Sequence, residues 1–224
     1  MQLKYGVISV DDHIQEPPDL WTRRLSKNRW GDRIPHMQRG DNGIDQWVMD
    51  GRLLLDGSAG RAGALMADRN SEPNRWSDVP PAAYVPSERL KAMDAAGIDY
   101  SVLYPTVAGL AGETFGRLED PELELACVQA YNDWLIDEWA GASERFIPQC
   151  IVPIGPVEAT VAEIKRAVAK GHRGVVFPSL PVHLRAVPHV SGPEYDPVWT
   201  ICEELSVPVC LHAGASPELQ YEPF

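Results

Sequence analysis

Apolar positions along the chain fall into two alternating rhythms, short continuous runs and longer stretches with apolar residues every three to four positions. Tyr5–Val10 is a strand candidate that runs straight into Asp11-Asp12-His13. Ile98–Pro105, Arg145–Ile154, Arg173–Ser179 and Val207–Gly214 give four further strands. Between them lie helical stretches. Pro86 opens the first, with Ser87 as candidate N-cap and Gly97 as the stop. Pro121–Gly141 follows, with Leu123, Ala126, Ala130, Trp134 and Trp139 in partly helical register. Pro156–Gly171 and Asp196–Leu205 complete the set, the latter with Pro197 at its first position. The later strands are near-continuous Val/Ile/Leu runs, as parallel strands covered on both faces require. Repeated β-then-α units with short connections predict a parallel sheet, either doubly wound or closed into a (β/α)₈ barrel.

The stretch 14–85, between the first strand and the first helix, breaks this rhythm. Asp45–Gly57 reads as a hairpin turning at Asp50-Gly51, and 57–81, rich in Gly, Ala, Arg, Asn and Pro, reads as irregular. The expectation is one domain over 1–224 with an insertion over 14–85. A (β/α)₈ barrel typically needs ~250 residues, and only five strands can be counted here. The expected architecture is therefore a TIM-like barrel with about five βα units present and the last three lacking. Open strand edges in such a sheet invite association, so a homo-oligomer is expected.

Charge and cysteine usage narrow the partners. Among 224 residues the formal net charge is −12, which disfavours nucleic acid and anionic membrane surfaces. No apolar run approaches the ~18 residues that span a membrane, and the start does not read as a signal peptide because Asp11 and Asp12 interrupt its short apolar run. Cys127, Cys150, Cys202 and Cys210 lack C-x-x-C spacing and read as small buried thiols. A cytoplasmic location is the expectation.

Active sites of barrels lie at the C-terminal ends of strands. Those ends carry Asp11, Asp12 and His13, then Tyr104-Pro105-Thr106, Pro153, Pro178-Ser179 and His212. Asp11 and His13, two apart in an extended segment, point to one side, with Asp12 opposite. Asp11, His13 and His212 are candidate ligands for one divalent metal, whose N/O donor preferences they meet. The plain alternatives are a solvated turn and a histidine satisfied by the backbone. Glu16 is a weaker candidate, for a supporting or substrate contact or else a helix-start carboxylate before Pro17-Pro18, and His183 another, for an acid–base role, though it reads more readily as an exposed loop histidine. His172 reads as structural, and His36 has no chemical context. Arg61, Arg69 and Arg75 are either a carboxylate clamp or a solvated loop. Trp21, Trp30, Trp47 and Trp76 either wall an aromatic substrate or bury the insertion. There is no P-loop, no G-x-G-x-x-G after a strand and no G-x-S-x-G elbow.

Taken in order, the segments VISVDDHIQEPPDLW, ERLKAMDAAGIDYSVLYPT, AYNDWLIDEWAGASERFIPQCIVPI, GHRGVVFPSLP and YDPVWTICEELSVPVCLHAG resemble the amidohydrolase superfamily, in the branch of aminocarboxymuconate semialdehyde and γ-resorcylate decarboxylases. The resemblance implies a (β/α)₈ barrel holding one divalent metal, commonly zinc. Of the family's D-x-H-x-H motif, Gln15 replaces the second histidine. Some members instead use an acidic residue two before the histidine, which is Asp11. His212 matches the strand-five histidine. The family's aspartate at the end of strand eight has no counterpart, so the catalytic residue is left unassigned. The implied chemistry is hydrolysis of an amide, ester or lactone, or non-oxidative decarboxylation of an aromatic or unsaturated acid, on a small carboxylate, amide or ester substrate. The alternative is a catalytically incomplete fragment or a small-molecule-binding remnant of that fold.

Overall fold

The computed structural model describes residues 3–55, 58–60 and 72–212. Its elements in chain order are β1 (Ile8–His13), α1 (Leu20–Arg24), α2 (Lys27–Trp30), β2 (His36–Arg39), β3 (Asp45–Met49), β4 (Arg52–Leu53), α3 (Pro86–Ala96), β5 (Tyr100–Tyr104), α4 (Glu113–Gly116), α5 (Pro121–Trp134), β6 (Phe146–Ile151), α6 (Val157–Lys170), β7 (Gly174–Pro178), α7 (Asp196–Glu204) and β8 (Val209–His212). The five expected strands form one parallel sheet in the order β1-β5-β6-β7-β8. A flat sheet would hold its outer strands about 19 Å apart at the usual spacing of ~4.8 Å. Here the C-terminal ends of β1 and β8 touch, His13 Nε2 lying 3.2 Å from His212 Nε2. The sheet is therefore curled into part of a barrel.

Helices cover the outer face of the curl. Cys150, Val175 and Phe177 pack against Ile164 and Ala167 of α6 and Val198 and Ile201 of α7, with Phe177 edge-on to Tyr195 and Trp199. On the same face nearer β1, Leu103 packs with Met93 of α3 and with Leu123, Cys127 and Tyr131 of α5. Helix starts and stops differ slightly from the sequence reading. Val85, not Ser87, is the N-cap of α3, because Pro86 occupies the first helical position. Pro197 stands second in α7 rather than first. Gly97 and Gly171 end their helices with positive φ of 70° and 119°, as expected. Beyond Trp134, α5 continues as a π-helical segment, Leu135–Ala140, which keeps Leu135 and Trp139 buried.

The insertion has its own small sheet, β2-β3-β4, all antiparallel. The expected turn is present, with Asp50 and Gly51 at φ 51° and 74°, the left-handed pair that a two-residue hairpin favours. Trp47 packs edge-on to Trp21, and Trp21 to Phe115. The Trp21 indole donates to the Cys127 carbonyl of α5 at 3.1 Å. Trp21, Trp30 and Trp47 thus bury the insertion against the barrel, while Trp76 stacks on Tyr84. Arg75 is exposed. Arg61, Arg69 and much of the 57–81 stretch lie outside the described residues. Cys127, Cys150 and Cys202 are buried and Cys210 half-buried, all as free thiols.

One buried polar cluster fixes α5 to the end of β6. Asn132 donates to the Ile151 carbonyl at 2.9 Å and to Glu163 at 2.7 Å, and accepts from the Ile151 N–H at 3.0 Å. Glu163 is matched by Arg166 through two bonds of 2.7 Å. Truncating Asn132 would orphan several buried groups at once. Asn132→Ala is expected to cost about 3 kcal/mol, read as a lowered denaturation midpoint with an unchanged slope. A loss below ~1 kcal/mol would mean that the cluster is not what joins these elements.

Candidate metal centre and active-site cleft

The phase of β1 decides which side chains reach the inside of the curl. Ser9 pairs with Ser101, but Asp12 pairs with Leu103 and His13 with Tyr104. Two residues, Val10 and Asp11, therefore oppose the single Val102, which is a β-bulge. Paired residues share a face. Ser101 and Leu103 lie on the helix-covered face, so Asp12 does too, bonded to the Ser101 hydroxyl. Without the bulge His13 would share that face with Ser9. With it, Asp11 and His13 turn inward. On β8, His212 pairs with Pro178 and Leu211 with Phe177, which puts His212 inside and Leu211 outside.

Asp11, His13 and His212 consequently converge. Asp11 Oδ1 lies 3.3 Å from His13 Nε2 and 3.1 Å from His212 Nε2, and the two Nε2 atoms lie 3.2 Å apart. Donors bound to one tetrahedral ion at ~2.0–2.1 Å would be about 3.3 Å from each other, so the triangle has the size of a face of such a site. Donor chemistry agrees. His13 Nδ1 lies 2.6 Å from the Pro105 carbonyl, which only accepts, so Nδ1 carries the proton. In its neutral form His13 would present the Nε2 lone pair to a carboxylate oxygen and a second imidazole nitrogen. A cation relieves that arrangement. Tyr104 borders both imidazoles, with ring centroids 5.8 Å from His13 and 5.5 Å from His212. Burial raises its hydroxyl pKa, with help from Cys210, so it stays a proton donor.

A cleft of about 770 Å³ opens beside the triangle. Asp11, His13, Gln15, Thr106, Leu110 and Glu113 line one end of it, and the rest runs past Asp12 along α3, by Arg89, Met93 and Ile98, on the helix-covered side of β1. Its size suits a small molecule.

The family model described as Amidohydrolase matches residues 72–223. The chain belongs to the amidohydrolase family. No curated protein matches it. Among solved structures, an amidohydrolase from Mycobacterium avium subsp. paratuberculosis K-10 is 26% identical, with a TM-score of 0.69 over 93% of this chain and 58% of that one. A 2,6-dihydroxybenzoate decarboxylase complexed with 2,6-dihydroxybenzoate is 20% identical, with a TM-score of 0.59 over 99% and 52%. A dihydroxybenzoic acid decarboxylase from Polaromonas sp. JS666, with bound manganese and the inhibitor 2-nitroresorcinol, is 17% identical, with a TM-score of 0.57 over 92% and 49%. The latter two share the fold. The chain spans about half the length of these structures.

The other sequence candidates in this amidohydrolase fall elsewhere. His183 is exposed in the turn after β7, outside the metal-sized cluster. His172 is buried and bonded to the Asn132 carbonyl at 3.0 Å, and burial pushes its pKa down to about 4. His36 bonds the Ile34 carbonyl. Two contributors escape sequence reasoning. Glu113 reaches the cleft because Gly109 and Gly112, at φ 87° and 81°, fold the loop over it; a Cβ on Gly109 would meet its carboxyl carbon at 2.7 Å. Arg89, a buried residue of α3, donates to the His13 carbonyl at 2.6 Å; on a helix surface nothing in the sequence separates it from a solvated arginine.

Glu16 is fully buried. Its carboxylate accepts from the N–H groups of Thr106, Val107 and Ala108, at 2.8 Å for Val107. Burial pushes its pKa up to about 7, against the pull of those N–H groups. The native state thus keeps a proton that the unfolded chain releases near 4.5. The resulting stabilisation is complete below that pH and is lost as pH rises through about 7, on the order of 3 kcal/mol in all. In chelator-treated protein, the unfolding free energy of the wild type minus that of Glu16→Gln should fall by this order between pH 4.5 and 8. A difference that stays flat would show that Glu16 is ionised throughout.

Proposed function

We propose that this amidohydrolase holds one divalent ion on Asp11, His13 and His212 and non-oxidatively decarboxylates a small aromatic or unsaturated carboxylic acid in the adjacent cleft. The observation that carries the reading is the inward-facing triangle with edges of 3.1–3.3 Å, with His13 Nδ1 held against the Pro105 carbonyl and its Nε2 toward Asp11 and His212. Two imidazoles and a carboxylate suit zinc and manganese alike, and manganese is the ion of the Polaromonas decarboxylase. A bound ion would supply positive charge for a substrate carboxylate and a neighbouring oxygen. The chain's own part is orientation and exclusion of water. Tyr104 keeps its proton beside both imidazoles, Thr106 and Gln15 offer hydrogen bonds at the rim, and Leu110 supplies apolar wall. The decarboxylases among the structural neighbours are the reason decarboxylation is preferred to hydrolysis.

Purified protein loaded with manganese or zinc is expected to hold about one ion per chain, measured by plasma mass spectrometry after desalting. Asp11→Ala and His212→Ala should each lose most of it; retention by both variants would remove the ligand assignment. Carbon dioxide release from 2,6-dihydroxybenzoate and related hydroxybenzoic acids tests the reaction. Turnover of amides, esters or lactones instead would replace the decarboxylase with a hydrolase.

The outer edges of β1 and β8 carry exposed Ile8, Val10 and Leu211 and support self-association through a second copy. Light scattering should show a dimer or larger species, whereas a monodisperse monomer would count against it. No helix among the described residues is long and apolar enough to cross a membrane, and four free thiols support a reducing compartment such as the cytoplasm.

A further inference from the structure

The geometry points to Glu16 as a positioning residue that sets the protonated nitrogen and the aim of His13 through the backbone of the loop after β5. This rests on His13 being a metal ligand.

Three contacts form the relay. Glu16 spans its two carboxylate oxygens across consecutive N–H groups: Oε2 to Val107 at 2.8 Å, Oε1 to Ala108 at 3.2 Å, and both to Thr106 at 3.2 and 3.3 Å. The Thr106 N–H belongs to the same peptide unit as the Pro105 carbonyl. Holding that N–H toward Glu16 turns the carbonyl the opposite way, because the peptide group is planar. The carbonyl then receives His13 Nδ1–H at 2.6 Å, which leaves the Nε2 lone pair facing Asp11 and His212.

The main chain closes the relay from the other side. Ile14 N–H bonds the Tyr104 carbonyl at 3.0 Å, and Gln15 N–H the Ala83 carbonyl at 2.8 Å. Arg89 holds the His13 carbonyl. The segment from His13 to Glu16 is thus tied to the end of β5 at both backbone and side chain. In its ionised form, above about pH 7, Glu16 offers acceptor sites on both oxygens to the three donors that converge there. An amide would turn an NH₂ toward at least one donor. A purely structural carboxylate would stabilise the loop equally well without any bearing on which His13 nitrogen holds the proton, and that difference can be measured.

The test uses the full chain with selectively ¹⁵N-labelled histidine at about pH 8, where Glu16 is ionised, in wild type, Glu16→Gln and Glu16→Ala. Long-range ¹⁵N–¹H correlations on metal-free protein report which His13 nitrogen is protonated, and calorimetric titration with manganese or zinc alone reports affinity. The expected result is a single Nδ1–H tautomer in the wild type, a mixture of tautomers in the variants, and a loss of affinity of about tenfold, at the low end of what supporting hydrogen bonds to metal ligands contribute. Val175→Ala, in the separate core under α6 and α7, serves as a destabilised control and should keep both properties. An unchanged tautomer in folded Glu16 variants overturns the proposal. So does an Nε2–H tautomer in the wild type, a reading available even if the variants do not fold. If Asp11→Ala leaves metal affinity intact, the metal reading fails, while the tautomer measurement still decides the role of Glu16.

Discussion

Everything distinctive in this molecule depends on the curl of a five-stranded parallel sheet tight enough for its two edges to touch. His13 and His212 are 199 residues apart in sequence and on opposite edges, yet their Nε2 atoms lie 3.2 Å apart. That contact is formed by the C-terminal ends of the strands, where the helices on the outer face leave a rim free for loops. The apolar packing of α3, α5, α6 and α7 on the outer face supplies the force, and the buried cluster around Asn132 and Glu163 fixes where α5 and α6 sit.

A second constraint sits within β1. The bulge at Val10-Asp11 costs one ladder position and shifts the strand by half a pleat. It separates neighbouring polar residues by role. Asp12 goes to the helix side with Ser101 and the buried Arg89, and Asp11 and His13 go inward. Local irregularity of this kind is common where a strand must aim side chains at a site. The loop after β5 answers it from across the ladder, bonding His13 through the Pro105 carbonyl and Glu16 through three N–H groups.

The insertion between β1 and α3 shows how far pattern carries. Its hairpin could be read from Asp50-Gly51, since only a left-handed turn suits that pair between apolar runs. The added strand β2 could not, because His36–Arg39 has no period-two alternation. The fate of the tryptophans was undecided too. Trp21 and Trp47 are equally suited to a substrate wall and to a buried joint, and only the edge-on stack with Phe115 assigns them to the joint.

The sequence by itself determined the five strands, the helices between them, the rim position of Asp11, His13 and His212, and the amidohydrolase resemblance. These follow from local periodicity, helix stops at Gly97 and Gly171, and the rule that parallel sheets display chemistry at strand ends. Tertiary structure alone decided three things. It set the inward turn of His13, which depends on a register slip against β5 that no single strand encodes. It made Glu16 a buried partner of another strand's loop rather than a group facing the cleft, and it brought Glu113 and Arg89 to the site. Each of these depends on contacts between residues far apart in the chain, whose energies belong to pairs and not to either sequence neighbourhood.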